Sequence, residues 1–175
     1  MVRLIGIGSA LLVILSLLGC NNLQGDYDKV KDDDIISRVG KAASKLVDDG
    51  VIGPGHRIIV TSFANVDNLS TSSRFGRMIA QQFAAEIASA GYTVIEILMS
   101  DALQINSAQG EFLLSREVAM LGEKHDADVV VVGTYAEGRD NVYITTKLIR
   151  ASDSVVLSAS NFDINLGPDA RLMIR

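Results

Sequence analysis

Most protein chemistry is built from cysteine, histidine and clustered carboxylates, and this chain of 175 residues holds one Cys, two His and a single run of three aspartates. Cys20 has no second thiol with which to close a disulfide and no companion with which to share a metal ion. Nucleophilic catalysis needs a Ser or Cys with a base, usually His, in hydrogen-bond reach. His56 follows the turn Gly53-Pro54-Gly55, and His125 stands in Lys124-His125-Asp126-Ala127 at a helix exit, where a cation suits the negative helix end. Both read as ordinary surface residues. There is no His-Glu-x-x-His spacing, Walker loop or nucleophile elbow, and Gly53-Pro54-Gly55 precedes a strand instead of linking strand to helix. Carboxylate pairs for glycoside hydrolysis are defined by a separation in the fold, and the sequence nominates no pair. The run Lys31-Asp32-Asp33-Asp34 lacks EF-hand spacing and the roughly 6–8 oxygens that Ca²⁺ takes. It reads as a solvated tether and helix entry, with Asp34 capping and Asp32 and Asp33 near the positive helix end. The expectation is no catalytic residue, no metal and no cofactor.

The chemistry left to Cys20 is acylation. Arg3 opens a short positive region, an apolar run extends from Leu4 to Ser16, and Leu17-Leu18-Gly19-Cys20 closes it, the form of a secretory leader with a small residue before the cut. The place of Cys20 at that cut resembles a bacterial lipobox, whose cysteine is acylated on sulfur and becomes the mature N-terminus. As a helix, Leu4 to Gly19 would be about 24 Å long, short of the ~30 Å hydrocarbon core, so a membrane span is not expected. Each buried CH₂ of an acyl chain adds about 0.8 kcal/mol, and stable anchoring takes more than one chain. The residue after the cysteine is Asn21, not the aspartate that retains enteric lipoproteins in the inner membrane, which points to the outer membrane. The expected organisation is a signal peptide over 1–19, a polar tether over 20–34 and one domain over 35–175. Fully stretched, the tether from Asn21 to Asp34 reaches about 46–50 Å, and as a coil about 20 Å. The domain is therefore expected close to its membrane, on the periplasmic face.

Loss of a leader carrying Arg3 takes the formal charge from −5 to −6. That acidity argues against phosphate-backbone binding, and the absence of tryptophan leaves few stacking platforms, so no nucleic-acid partner is expected. Self-association is left open.

Along the chain, Ile35, Ile36, Val39, Ala43, Leu46 and Val47 recur at helical spacing before Gly50. Arg57 to Phe63 is a β-branched run that reads as a strand. Phe75, Met78, Ile79, Phe83, Ile87 and Ala90 form a second helical stripe ended by Gly91, and Tyr92 to Leu98 a second strand. Leu114, Val118 and Leu121 place a third helix within 110–124, while Met99 to Gln109 carries no clear pattern. Val129 to Tyr135 is uniform enough to lie mid-sheet with both faces covered. Val142, Ile144, Thr146 and Leu148 alternate with polar residues, and Val155 to Phe162 returns, making an antiparallel meander. The order α-β-α-β-α-β-β-β predicts an α/β fold: a mixed sheet of about five strands with helices packed on it.

Arg74 and Arg77 fall in the first turns of the second helix, where positive charge meets the positive helix end and costs about 0.3–1 kcal/mol unless answered. An acidic group is expected to answer them, either Asp67 within the chain or an acidic partner, which makes Arg74, Phe75 and Arg77 the candidate partner-binding residues. Gly76 between them costs a helix about 1 kcal/mol relative to Ala and implies close packing against a backbone.

Four segments in order, from Asp67-Asn68-Leu69-Ser70 through Arg74-Phe75-Gly76-Arg77, Gly91-Tyr92-Thr93-Val94-Ile95-Glu96, Gly110-Glu111-Phe112-Leu113-Leu114-Ser115-Arg116 and Val132-Gly133-Thr134-Tyr135, resemble the FlgO family of flagellar outer-membrane proteins. The similarity runs from about Ile36 to Ser160. It implies a noncatalytic component that supports a functional flagellum, with flagellar basal-body or other envelope proteins as partners, and it brings no catalytic residue. The α/β order is also similar to the periplasmic domains of CsgG-type secretion lipoproteins and LpoB-type peptidoglycan-synthase activators and to the N-terminal domain of TolB, which implies the alternative of an envelope regulator. A CsgG-like pore needs two long alternating hairpins of about 9–11 residues per strand, and none is found. An LpoB-like activator needs a tether longer than the ~50 Å available here.

Overall fold

Capping and apolar spacing set the first helix. Asp34 accepts the Ser37 N–H at 3.1 Å and opens α1 (Ile35–Val47), which buries Val39, Ala42, Ala43, Leu46 and Val47. The computed structural model describes residues 30–48, 50–53, 55–69, 71–97 and 111–175. The leader, Cys20 and the unassigned 99–109 stretch lie outside the described residues. After α1 come β1 (Arg57–Thr61), β2 (Ala64–Asn65), α2 (Arg74–Ser89), β3 (Thr93–Ile97), α3 (Glu111–His125), β4 (Val129–Glu137), β5 (Asn141–Arg150), β6 (Val156–Asn165) and α4 (Pro168–Ile174).

The strands form one mixed sheet in the order β3-β1-β4-β5-β6, with the short β2 also beside β4. Both neighbours of β1 run parallel to it, whereas β4, β5 and β6 form the antiparallel meander. The fold is the expected α/β arrangement, with two elements added. β2 is one; it exists because the chain leaves the ladder after Thr61, and the Phe63 N–H bonds the Gly76 carbonyl (3.2 Å) instead of a strand. The other is α4.

β4 lies mid-sheet with both faces covered. Val129, Val131 and Tyr135 join a core with α1, α2 and α4, while Val130 and Val132 join a second core with Val118 and Leu121 of α3. On α2 the buried residues Phe75, Ile79, Phe83 and Ile87 recur every fourth position, so one stripe faces the sheet. Full burial of each such side chain contributes about 1.5–3 kcal/mol.

The acidic run does more than enter a helix. The Asp32 carboxylate accepts the N–H groups of Asp169 (3.1 Å) and Ala170 (3.0 Å), the second and third residues of α4, whose own N-cap, Gly167, offers no side chain. Asp33 accepts from the main-chain N–H (2.9 Å) and the amide (3.2 Å) of Asn165 and pairs with Arg38 at 3.1 Å. A Cβ on Gly167 would overlap Asp32, so glycine there admits the carboxylate. Asp32 is thus an N-cap supplied from the far end of the chain. Asp32→Ala is expected to cost about 1 kcal/mol, the value of a lost cap. Faster hydrogen exchange at Asp169 and Ala170, with Asp32→Asn nearer to wild type, would be the signature.

Candidate functional site

In open α/β sheets, ligands settle beyond the carboxyl ends of the strands where the chain reverses direction across the sheet. Here that place is the end of β1, between parallel neighbours, with α2 packed on one face of the sheet and α3 on the other. The chain fills it with itself. The Phe63 ring is fully buried, 5.2 Å from Phe83, and its carbonyl accepts the Ser72 hydroxyl at 2.7 Å. Tyr135 is 2% exposed; its hydroxyl accepts the Ser73 N–H at 3.3 Å, and its ring stands edge-on to Phe75 at 5.5 Å. Gly76 closes the knot: a Cβ there would overlap the Phe63 carbonyl oxygen and the Ser72 hydroxyl, the close backbone approach that its place in a helix implies. Ser73 caps α2 by accepting the Gly76 N–H at 3.3 Å.

Of the three residues expected to meet a partner, the structure leaves two at the surface. Phe75 is 0% exposed and belongs to the core between α2 and Tyr135, so its ring is not available to a partner. Arg74 and Arg77 are exposed. Within the chain, main-chain oxygen takes the place expected for Asp67: Arg74 donates to the Leu172 carbonyl in the last turn of α4, and Arg77 to the Ser72 carbonyl at 2.8 Å. The first of these sets the guanidinium at the negative end of α4, which offsets the positive end of α2. Asp67 forms no ion pair with either among the described residues. The arrangement is a rigid corner displaying two guanidinium groups.

The histidines sit at the opposite end of the sheet. His56 is half-buried, with Nδ1 2.8 Å from the Gly53 carbonyl, and the His125 carbonyl accepts from Arg57 at 3.1 Å. An open groove of about 540 Å³ touches His56, Glu123, Asp128 and Arg150. Two of its charged groups are engaged with the fold: Asp128 accepts the Arg57 N–H at 2.8 Å, and Arg150 pairs with Asp153 at 2.7 Å. The Val155 N–H first, and then Arg150, hold the Asp153 carboxyl below its usual range. Among the described residues no three His, Cys, Asp or Glu side chains are grouped to hold a metal, and no helix is long and apolar enough to cross a membrane.

What sequence reasoning missed was long-range. Asp32 and Asp33 act on residues more than 130 positions away. A signal for α4 existed, because Pro168 after Gly167 is the composition of a helix start.

These features define the class first: an α/β domain with a mixed sheet whose strand-end crevice is packed by its own side chains into a rigid corner. That fold is shared with the LpoB C-terminal domain from Salmonella enterica, at a TM-score of 0.56 and 11% identity, covering 75% of this chain and 98% of that one. The LpoB C-terminal domain from Escherichia coli matches at 0.54 and 11%, with the same coverage, and the NMR structure of E. coli LpoB at 0.53 and 14%, covering 77% and 69%. No curated protein matches the chain by sequence. The model of the family described as FlgO protein matches residues 40–169, and the chain belongs to that family.

Proposed function

We propose that this protein is an outer-membrane lipoprotein, held through acyl chains on Cys20 with its domain on the periplasmic face, that serves as a structural or binding component supporting the flagellum. The family match over residues 40–169 carries the reading. The role is positional. Lipid fixes the domain at the bilayer, and Arg74 and Arg77, held by main-chain carbonyls on a rigid corner, present cationic contacts to flagellar basal-body or envelope proteins. Binding without catalysis agrees with a strand-end crevice packed by Phe63, Tyr135 and Phe75. A second reading, an envelope lipoprotein regulating peptidoglycan synthesis or secretion, draws on the likeness to the LpoB fold.

Deleting the gene and complementing it separates the two. Lost motility with normal wall integrity, restored by the wild-type gene and not by Cys20→Ala, is the expected result. Wall or secretion defects with motility intact would favour the second reading. Fractionation supplies the physical check: Cys20→Ala is expected to remove the protein from the outer-membrane fraction, since the acyl chains are what hold it there in this account.

A further inference from the structure

α4 is seven residues long, short of the length at which a helix holds itself together, so its geometry depends on what grips its ends. At its start the grip is Asp32, which takes the N–H groups of Asp169 and Ala170 where Gly167 offers no side chain. At its end the Leu172 carbonyl accepts the Arg74 guanidinium. Helical geometry aims that carbonyl, because helix carbonyls point along the axis toward the C-terminus. In between, Ala170 and Ile174 are buried in the core that Phe75 shares, and Arg171 donates to the Arg139 carbonyl at 2.8 Å. An uncapped α4 would therefore unwind in place and turn the Leu172 carbonyl away from Arg74.

We propose that Asp32 is a positioning residue for Arg74, acting through α4: with the tether seated the guanidinium is held, and a tether drawn off α4 frees it. Among the described residues no hydrogen bond or ion pair precedes Asp32 along the chain, so a pull from the N-terminal side loads this contact first. Asp33, bonded to Asn165 and Arg38, takes the load next. Twelve peptide steps join Cys20 to Asp32 and span at most about 43 Å. The device rests on the reading of Arg74 as a partner contact and supplies the regulation of that contact. A held guanidinium meets a partner's carboxylate without losing further side-chain freedom, whereas a freed one must be ordered first. The corner therefore binds best while the domain stays within the reach of its anchor, and its grip weakens once the tether is taut.

NMR of the ¹⁵N-labelled full chain in detergent tests the link, with Asp32→Ala standing in for a drawn tether. Hydrogen exchange at the Arg74 Nε–H is expected to rise about 5-fold, the factor to which the typical worth of a helix cap corresponds. Arg77 is held by the Ser72 carbonyl of its own corner and should not change. Asp32→Asn still offers an oxygen and should bring Arg74 back toward wild type. Coupling is reciprocal, so Arg74→Ala should raise exchange at the Asp169 and Ala170 amides by about the same factor. Should Asp32→Ala fail to fold, that reciprocal measurement decides. Faster exchange at Asp169 and Ala170 with Arg74 unmoved would mean that the cap acts only locally, and it overturns the proposal. Equal changes at Arg74 and Arg77, the mark of general loosening, overturn it too. These measurements need neither partner nor membrane, so they fail separately from the flagellar reading, which unimpaired motility in the deletion strain would sink by itself.

Discussion

Gly76→Ala is expected to destabilise the domain by about 3 kcal/mol, although the same change raises intrinsic helix propensity by about 1 kcal/mol. The propensity gain loses because the new methyl group would occupy the space of the Phe63 carbonyl oxygen and the Ser72 hydroxyl. Both of those atoms are committed, the hydroxyl donating to the carbonyl at 2.7 Å. Moving α2 away would also stretch the bond from the Phe63 N–H to the Gly76 carbonyl, and each lost hydrogen bond costs about 0.5–1.5 kcal/mol. Overpacking alone costs about 1–3 kcal/mol, so the sum exceeds the helix gain. For a domain of this size the midpoint of thermal unfolding should fall by about 6–12 °C. Gly40→Ala in α1 is the matched control, since the nearest atoms its Cβ would meet are those of the Glu86 carboxylate, at 3.4 Å. That carboxylate ends a flexible side chain and can swing aside, so Gly40→Ala should be neutral or slightly stabilising. Equal losses at the two positions would show that helix glycine itself, not the Phe63 contact, matters.

The contrast explains what was legible in the sequence. Periodicity is local, so the stripe from Phe75 to Ile87 and the run Val129 to Val132 announced α2 and the central strand without knowledge of their neighbours. Gly76 was legible in kind, because a glycine inside an apolar helical stripe needs a packing reason, but its contact, Phe63, was not named by any spacing. For Arg74 and Arg77 the expected partner within the chain, Asp67, was wrong for a related cause. Their charge called for an opposite charge, and the fold answered with the carbonyls of Leu172 and Ser72, which every residue type carries. Asp32 and Asp33 looked like a solvated run because their partners, at 165, 169 and 170, are remote in sequence and main-chain donors in most cases. Phe75 belonged to the stripe from the start, and burial outweighs its closeness to the two arginines.

At Gly133 the same reasoning gives the opposite prospect for rescue. Gly133 lies on β4 between Val131 and Tyr135, on the face toward α2, and a Cβ there would overlap Cγ, Cδ2 and Cε2 of the Phe63 ring. Gly133→Ala is expected to cost about 2–3 kcal/mol by overpacking, since the ring is fully buried, with Phe83 at 5.2 Å limiting its movement. What it strikes is a side chain, however, and a side chain can be shortened. Phe63→Ala, which removes the whole ring with its Cγ, should by itself cost about 3–5 kcal/mol. In the double variant the new methyl group fills space the ring has vacated, so the pair should cost little more than Phe63→Ala by itself. The coupling, read from denaturant unfolding of the four proteins, should be about 2 kcal/mol in favour of the double variant. Additive losses would mean that the strand, not the ring, rejects a side chain at 133. No such compensation is open to Gly76→Ala, because its obstacle is a peptide oxygen that stays whatever residue stands at 63.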